Sequence, residues 1–165
     1  MKKKMIIIGG GISGIYLSIL LKKYLDMDVV VLEANDKPLK KLLATGNGRC
    51  NLSNKDLDKA HYDGDIKPWV NDIIHDFDIV EALKDIGLYT KYMGNLLYPY
   101  SESAKAVQTL FLNRAKEYGV KIICDEEVLS IKKSKHGYFI HAAHQDYQAD
   151  YVTIACGTPA GNYLV

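Results

Sequence analysis

The feature that most constrains this chain is a glycine-rich turn between two apolar runs near its start. Met5–Ile8 is rich in the β-branched side chains that suit a buried strand. Gly9–Gly14 then has the spacing G-x-G-x-x-G and leads into the apolar, helix-forming run Ile12–Tyr24. A further apolar run, Asp28–Leu32, has the composition of a second buried strand. This order predicts a βαβ unit whose turn accepts the pyrophosphate of a dinucleotide.

Each glycine of this turn has its own expected role. Gly9 allows the tight turn, Gly11 lets a pyrophosphate approach the backbone, and Gly14 lets the helix pack on the strand. The helix N-terminus, at Ile12 and Ser13, supplies N–H groups and the positive end of the helix dipole. These five residues are therefore predicted to bind the cofactor.

The second strand ends in an acidic residue, Glu33, which is followed by Ala34. A carboxylate at this place can accept hydrogen bonds from both hydroxyls of an adenosine ribose. No arginine stands beside it, and this disfavours a cofactor with a 2′-phosphate. Glu33 and Ala34 thus join the predicted site, but the pattern does not by itself separate FAD from NAD.

Composition narrows the class of protein. With 165 residues, of which 48% are apolar and 25% charged, the chain has the size and composition of one globular domain. Its net charge of +1 predicts neither a nucleic-acid nor a membrane-surface partner, and no apolar run is long enough to span a bilayer. Lys2–Lys4 and the residues after it imitate a secretory signal, but glycines interrupt the apolar run, so we expect none.

The cysteines and histidines predict no metal site. Cys50, Cys124 and Cys156 lie far apart and are odd in number, which is typical of reduced thiols in a cytoplasmic protein. No pair of cysteines has metal-ligand spacing, and the five histidines form no cluster in the sequence. Cys50 is the only candidate for a redox role, and a packed thiol is the favoured interpretation.

The rest of the chain predicts a series of further elements, several of them marked by boundary residues. Ser103 can cap a helix, and Gly87 and Gly119 are plausible helix ends. The predicted segments are a loop with a turn over His61–Trp69, a helix over Trp69–Ile86, a hairpin around Gly94 and Asn95, a helix over Ala104–Tyr118, a third parallel strand over Val120–Cys124, three antiparallel strands over Val128–Lys132, Tyr138–Ala142 and Tyr147–Ala149, and a final buried strand over Tyr151–Cys156.

Gly46–Asn51 breaks this pattern of regular elements. It holds two glycines, two asparagines and an arginine in six residues. Such a segment predicts a loop held by backbone hydrogen bonds rather than a strand or helix. Taken alone, the composition fits a solvated surface loop as well as a binding loop.

A resemblance to a known protein family implies a specific role for this loop. Thr45–Asn54 (TGNGRCNLSN), downstream of Gly9–Gly14 (GGGISG), resembles the signature loop of a bacterial family of NAD(P)/FAD-dependent oxidoreductases. This family includes aminoacetone oxidase-like enzymes and bile-acid-inducible N-type flavoproteins, and its loop passes under the FAD. Leu39 stands where the family has a glycine, just before a basic pair. The resemblance implies cofactor contacts at Lys41, Gly46, Gly48, Arg49, Cys50 and Asn51.

The order of elements resembles the FAD domain of the glutathione-reductase-like superfamily. The predicted fold class is therefore α/β, a Rossmann-like FAD-binding domain with a parallel sheet and a three-stranded antiparallel meander. In that fold the residue at the position of Val128 contacts adenine through its backbone. The final turn, here Ala155 to Gly157, approaches the cofactor, although Thr158 departs from the second glycine often found there. The Leu97–Ser101 segment resembles one in the family that faces the substrate.

These observations together predict the FAD-binding portion of a flavin-dependent oxidoreductase, with NAD(P)H as a possible electron donor and an unknown small-molecule substrate. No catalytic residue is assigned. Two alternatives stay open, an NAD-dependent dehydrogenase domain and a non-catalytic dinucleotide-binding module. Because members of the resembled family are much longer, we expect residues 1–165 to be a partial FAD domain, without the substrate domain and the C-terminal return segment. We expect these residues alone to show little turnover.

Overall fold

The computed structural model describes residues 2–57 and 67–157, and these residues divide between two compact units. The first unit is formed by 1–42 and 111–165, and the second by 43–110. The elements in chain order are β1 (Lys3–Ile8), α1 (Ile12–Tyr24), β2 (Met27–Leu32), a 3₁₀ segment (Lys41–Gly48), β3 (Ser53–Asn54), α2 (Lys67–Asp76), α3 (Ile79–Asp85), β4 (Thr90–Met93), β5 (Leu96–Pro99), α4 (Ala104–Glu117), β6 (Lys121–Ile123), β7 (Val128–Ser134), β8 (Gly137–Ala142), β9 (Asp146–Ala149) and β10 (Tyr151–Ile154).

The first unit is built on a four-stranded parallel sheet in the order β10-β1-β2-β6. Strand β1 lies between β2 and β10, and its last residue, Ile8, pairs with Leu32 on one side and Ile154 on the other. Since parallel strands run in the same direction, the glycine turn after β1 lies at the same edge as the ends of β2 and β10. The predicted α/β fold with its βαβ unit is confirmed.

The two faces of this sheet pack against different partners, as alternation along β1 requires. Ile7 faces helix α1, where its side chain lies close to Gly14. Ile6 and Ile8 face the antiparallel sheet β7-β8-β9, which confirms the predicted meander. The buried residues shared by the parallel sheet and the meander are Ile6, Ile8, Leu32, Val128, Ile140, Ala142, Tyr147 and Ala149. The glycine turn therefore follows a strand whose two faces are both buried.

The second unit holds a small antiparallel sheet in the order β3-β5-β4. The predicted hairpin is confirmed, with Gly94 at a positive φ of 61° in its turn. Strand β3 was not predicted, because its two residues, Ser53 and Asn54, are too few to show a pattern. The Ser103 cap on α4 is confirmed by its side-chain hydrogen bond to the Ala106 N–H at 3.2 Å.

The predicted single helix over Trp69–Ile86 is wrong, because two helices occupy this stretch. α2 ends at Asp76, and α3 begins after Asp78. The Asp78 side chain accepts hydrogen bonds from the N–H groups of Val80 and Glu81, at 2.9 and 3.1 Å, so it caps a new helix. The apolar period continues through the break, which is why the pattern looked like one helix.

The final strand is shorter and more exposed than predicted. The final strand ends at Ile154 rather than Cys156, and it is not buried throughout, since Tyr151 is 48% exposed and Ile154 39%. β10 lies at an edge of the sheet among the described residues, so one of its sides has no neighbouring strand there. The predicted turn in His61–Trp69 falls largely outside the described residues. No helix in the described part of the chain is long and apolar enough to cross a membrane.

Candidate functional site

Two glycines of the turn are required by the fold itself. Gly9 has a φ of 107°, and a Cβ placed there would lie 2.6 Å from the Ala155 carbonyl oxygen. A Cβ at Gly14 would lie 2.1 Å from the Gly9 carbonyl oxygen. Both distances are shorter than any side chain tolerates, and the atoms met are backbone atoms that cannot swing away. The first and third glycines thus bring β1, α1 and the end of β10 into close contact.

The remaining glycine of the motif, Gly11, is different. Its φ of −71° suits any residue. The nearest described atom to a Cβ placed there is the Ala155 carbonyl oxygen at 3.9 Å, so no part of the described chain fills this space. Gly11 leaves an open cradle in front of the N-terminus of α1, at a position where the fold does not demand a glycine.

The helix end that faces this cradle is suited to a phosphate. α1 starts at Ile12 after Gly11, which has no side chain to cap it, and its first turn contains no acidic residue. The first N–H groups of any helix lack intrahelical acceptors, so those of Ile12 and Ser13 are available to an anion. Both side chains are exposed. The cradle and its donors therefore fit the pyrophosphate of FAD.

Glu33 is buried beside this turn, with 8% of its surface exposed. Its Oε2 accepts a hydrogen bond from the Gly10 N–H at 2.7 Å, and its Oε1 accepts one from the Asn35 N–H at 2.9 Å. The Asn35 side-chain amide also donates to Oε1, at 2.5 Å. The carboxylate thus lies at the predicted place, but it already binds the neighbouring backbone. Ala34, between these residues, is exposed.

Leu39, which stands where the resembled family has a glycine, lies in the segment after Glu33. This residue has a φ of 60°, a conformation that favours glycine, although its side chain is 2% exposed. Its N–H donates to the Gly10 carbonyl oxygen at 2.8 Å, so the segment closes back on the turn. Lys41 follows, and its Nζ lies 3.9 Å from the position that a Cβ on Gly157 would take. The amino group therefore lies beside the final turn of the unit.

Val128 starts β7, and Glu126, two residues before it, bonds the backbone of Glu33. The Glu126 N–H donates to the Glu33 carbonyl oxygen at 2.9 Å, which ties the start of β7 to the end of β2. The buried Glu126 carboxylate accepts hydrogen bonds from the His144 N–H at 2.9 Å and the Tyr147 hydroxyl at 3.0 Å. These bonds, the His144 N–H first, lower the pKa of Glu126 below its usual value. The first unit thus brings together the glycine turn, Glu33, Val128, Lys41 and Ala155–Gly157.

The loop over Gly46–Asn51, called the 46–51 loop from here on, lies in the second unit and is held by its own backbone. Gly46 and Asn47 have positive φ values of 55° and 53°, and Gly48 one of 83°. The Arg49 N–H donates to the Gly46 carbonyl oxygen at 3.0 Å, and the Cys50 N–H donates to that of Thr45 at 3.0 Å. The expected backbone-bonded loop is confirmed, and its binding role stays a prediction.

The packing of this loop depends on Tyr98, which sequence reasoning did not assign to it. The Arg49 guanidinium lies 5.1 Å from the centre of the Tyr98 ring, and a Cβ on Gly46 would lie 3.3 Å from that ring. Glu102 lies 3.9 Å from Arg49 and bonds Lys91 at 2.6 Å. The Lys91 ammonium, through its bond and charge, lowers the pKa of Glu102. The tyrosine-rich sequence of the hairpin was the available signal for Tyr98.

Cys50 is a packed thiol in this structure. Its side chain is fully buried, and burial raises the pKa of the Cys50 thiol. Burial likewise raises the pKa of Cys124. A thiol with a raised pKa forms little thiolate, so neither is set up as a nucleophile. Among the described residues, no group of His, Cys, Asp and Glu could hold a metal ion. The exposed residues of the loop are Asn47, Gly48, Arg49 and Asn51.

Comparison with known proteins gives one family and a consistent set of relatives. The family model described as HI0933-like protein Rossmann domain matches residues 3–162. The chain is 38% identical over 162 residues to the 3-dehydro-bile acid delta(4,6)-reductase of Clostridium scindens, covering 96% of the chain and 40% of that protein. It is 29% identical over 133 residues to the ribosomal RNA dihydrouridine synthase of Haemophilus influenzae, covering 78% of the chain and 32% of that protein.

Solved structures support the fold. Thermovibrio ammonificans THI4 superposes with a TM-score of 0.66 at 16% identity, over 99% of this chain and 59% of that one. The bacillithiol disulfide reductase Bdr of Staphylococcus aureus gives a TM-score of 0.51 at 19% identity, over 95% of this chain and 39% of that one. The chain spans 40% and 32% of the length of the two curated relatives named above.

Proposed function

This chain belongs to the family described as HI0933-like protein Rossmann domain, and we propose on that premise that it is the FAD-binding portion of a flavin-dependent oxidoreductase. The observation that carries the proposal is the cradle at Gly11, which the described fold leaves open and which a dinucleotide phosphate would fill. The domain type, a Rossmann fold with an antiparallel meander, is that of FAD-dependent oxidoreductases. FAD is accordingly the cofactor.

The first unit supplies the residues that hold the adenosine half of FAD. The N–H groups of Ile12 and Ser13 donate to the pyrophosphate, whose approach requires Gly11 to have no side chain. We assign Glu33 to the ribose because it ends β2 beside the glycine turn. We assign the backbone of Val128 to adenine, as the resemblance to FAD domains implies. Lys41 provides a positive charge near the final turn. When bound, the flavin supplies the redox chemistry, accepting and donating a hydride.

The 46–51 loop is proposed to contact the same cofactor through its exposed residues. Its left-handed turn is held by backbone hydrogen bonds within the loop and by the buried Cys50. A loop held by its own contacts loses less conformational entropy when it binds than a loose one does. Arg49, held over Tyr98, presents a guanidinium that can donate to an anionic or carbonyl oxygen. Cys50 supports this loop by packing, and we assign it no redox step.

The names of the two relatives point to one type of reaction. A delta(4,6)-reductase of a 3-dehydro-bile acid and a dihydrouridine synthase both act on carbon–carbon double bonds conjugated to a carbonyl group. We therefore propose that the whole protein reduces such a double bond, for which bound flavin would supply the reducing equivalents. NAD(P)H is the expected reductant of the flavin. The higher identity to the bile-acid enzyme supports a small-molecule substrate. The three free cysteines support the proposal that the protein is cytoplasmic.

Titration of the purified chain with FAD and with NAD⁺ tests the cofactor. We expect the chain to quench flavin fluorescence on binding FAD and to bind NAD⁺ more weakly. Tighter binding of NAD⁺ would instead support the NAD-dependent dehydrogenase domain, and binding of neither would contradict the proposed function. Turnover of a conjugated enone by protein that carries the domain, with NADPH as reductant, tests the reaction type.

A further inference from the structure

We propose that Glu33 acts on the dinucleotide mainly by positioning the glycine turn, and only in second place as a ligand of the ribose. This inference rests on the proposed FAD-binding function. It concerns how the carboxylate divides its hydrogen bonds between the protein and the cofactor. The residues that carry it are Glu33, Gly10, Asn35 and Leu39, all in the first unit.

The number of acceptor positions on Glu33 is the first step. An ionised carboxylate offers about four lone-pair positions. Three are occupied, because Oε1 accepts from both the N–H and the side-chain amide of Asn35, and Oε2 accepts from the Gly10 N–H. The side chain is 8% exposed, so it has little room to turn toward a ligand. One acceptor position is left, so both ribose hydroxyls could bind only if the exposed Asn35 side chain gave up its bond.

The bond to Gly10 is the second step, since it fixes the peptide at the centre of the turn. The Gly9 N–H donates to the Leu32 carbonyl oxygen at 2.8 Å, and the Gly10 carbonyl oxygen accepts from the Leu39 N–H at 2.8 Å. With the Glu33 bond at 2.7 Å, consecutive groups of the turn are bound on both sides of Gly10. Gly11 and the start of α1 follow directly, so the orientation of the Gly10 backbone sets the direction of their N–H groups. A preformed array of donors loses less entropy on binding an anion.

The fit at Gly10 is the third step. A Cβ placed there would lie 3.0 Å from Oε2 of Glu33 and 3.0 Å from Cβ of Pro38. Gly10 therefore has to lack a side chain for the Glu33 carboxylate to lie this close to the backbone of the turn. Gly10 stands outside the three glycines of the motif, so the spacing alone gives it no role. The contact with Glu33 supplies one.

Two ligands separate positioning from direct contact with ribose. ADP carries both ribose hydroxyls, whereas 2′,3′-dideoxy-ADP has the same pyrophosphate and adenine but neither hydroxyl. Glu33→Gln keeps an oxygen that can accept from the Gly10 N–H, and Glu33→Ala removes it. Titration calorimetry of the full chain, or displacement of FAD, measures the affinity of each variant for each ligand.

Positioning predicts that Glu33→Ala weakens both ligands by at least about tenfold, with the ratio of the two affinities within about threefold of wild type. Glu33→Gln should lose less affinity than Glu33→Ala for both ligands, because its oxygen can still accept from the Gly10 N–H although its amide nitrogen would face the Asn35 N–H. The inference is overturned if Glu33→Ala binds dideoxy-ADP as well as wild type does and loses affinity for ADP alone. If the wild-type chain binds neither ADP nor FAD, the proposed function fails first, and the inference fails with it.

A milder variant decides the matter if the Glu33 variants do not fold. Asn35 is exposed, and Asn35→Ala removes one of the bonds that hold the carboxylate in place. We expect an equal loss of about threefold for both ligands. Asn95→Ala is the matched control, because Asn95 is an exposed asparagine that bonds an acidic residue, Asp56, in the second unit. No change in Asn35→Ala, or a loss confined to ADP, overturns the inference.

Discussion

The two glycine-bearing turns of this molecule, Gly9–Gly14 and the 46–51 loop, look alike in composition but use glycine for different reasons. Each has a glycine whose Cβ would collide with the backbone, Gly14 in the first and Gly46 in the second. Each also has a glycine with open space before it, Gly11 in the first and Gly48 in the second, where the nearest described atoms are 3.9 Å away and beyond 4 Å.

The presence of glycine has a different explanation at Gly48 and at Gly11. Gly48 has a φ of 83°, so its backbone conformation explains the residue with no reference to a ligand. Gly11 has a φ of −71° and no such need. A glycine that neither the backbone nor the described neighbours require points to a molecule outside the chain. The comparison therefore separates the turn whose structure already indicates a ligand from the loop whose structure does not.

The largest expected effect is on folding, at Gly14. In Gly14→Ala the new Cβ would meet the Gly9 carbonyl oxygen, and α1 would have to move away from β1. We expect a loss of more than about 3 kcal/mol in the free energy of unfolding, measured by urea denaturation. A variant as stable as wild type would show that α1 can shift, and the distinction between required and open glycines would then weaken.

The next effect is on binding, at Gly11. Gly11→Ala should change the free energy of unfolding by no more than about 0.5 kcal/mol, because alanine restricts the unfolded chain at an ordinary φ but is a poorer N-cap than glycine. FAD affinity should fall at least about a hundredfold, or about 2.8 kcal/mol, since the methyl group takes the place of the phosphate. FAD titration beside urea denaturation checks both. Unchanged affinity in a folded variant would remove the evidence for a pyrophosphate at this turn.

A chemical test addresses the 46–51 loop through its thiol. Burial and the raised pKa of Cys50 predict that iodoacetamide modifies it at least about tenfold more slowly than Cys156, which is only partly buried. Mass spectrometry of peptides at successive times gives the rate at each site. Modification of Cys50 as fast as that of Cys156 would show that the loop opens in solution, contrary to its packed appearance.

The smallest effect, at Gly48, has a matched control in the same unit. Gly48 and Gly94 both have positive φ, 83° and 61°, and neither has a described atom within 4 Å of a new Cβ. Gly48→Ala and Gly94→Ala should each lose about 1 kcal/mol in the free energy of unfolding. If the loop contacts FAD, only Gly48→Ala should also weaken FAD, by about fivefold. Equal FAD affinity in the two variants would mean that Gly48 serves the backbone alone.

Local sequence signals predict the first unit well. The bounds of α1 are as predicted, and β1 and β2 begin only one or two residues earlier than expected. Apolar runs, glycines and an acidic end all lie within one continuous stretch there, so each signal supports the next. The position of Glu33 at the edge of the sheet follows from the same pattern.

The sequence does not reveal contacts between residues that are distant in the chain, nor the backbone conformation and capping role of single residues. Asp78 resembles the other acidic residues of the predicted helix in sequence, yet its side chain caps the start of a separate helix, α3. Leucine rarely adopts a positive φ, so the residue at position 39 does not indicate one, and only the glycine of the resembled family at this position does. The partners of Glu33, and the Tyr98 ring under Arg49, depend on backbone geometry that composition does not encode.

The central place of β1 in its sheet has a consequence for synthesis. One partner, β2, follows almost at once, but the other, β10, is made much later, and Lys4 bonds Asp150 across 146 residues. Until then, one edge of a strand of high β-propensity has no neighbour, the condition in which nascent chains pair wrongly and aggregate. Lys2, just before the strand, and Lys3 and Lys4, its first residues, place positive charge at this end, and charges of this kind disfavour aggregation of an unpaired strand.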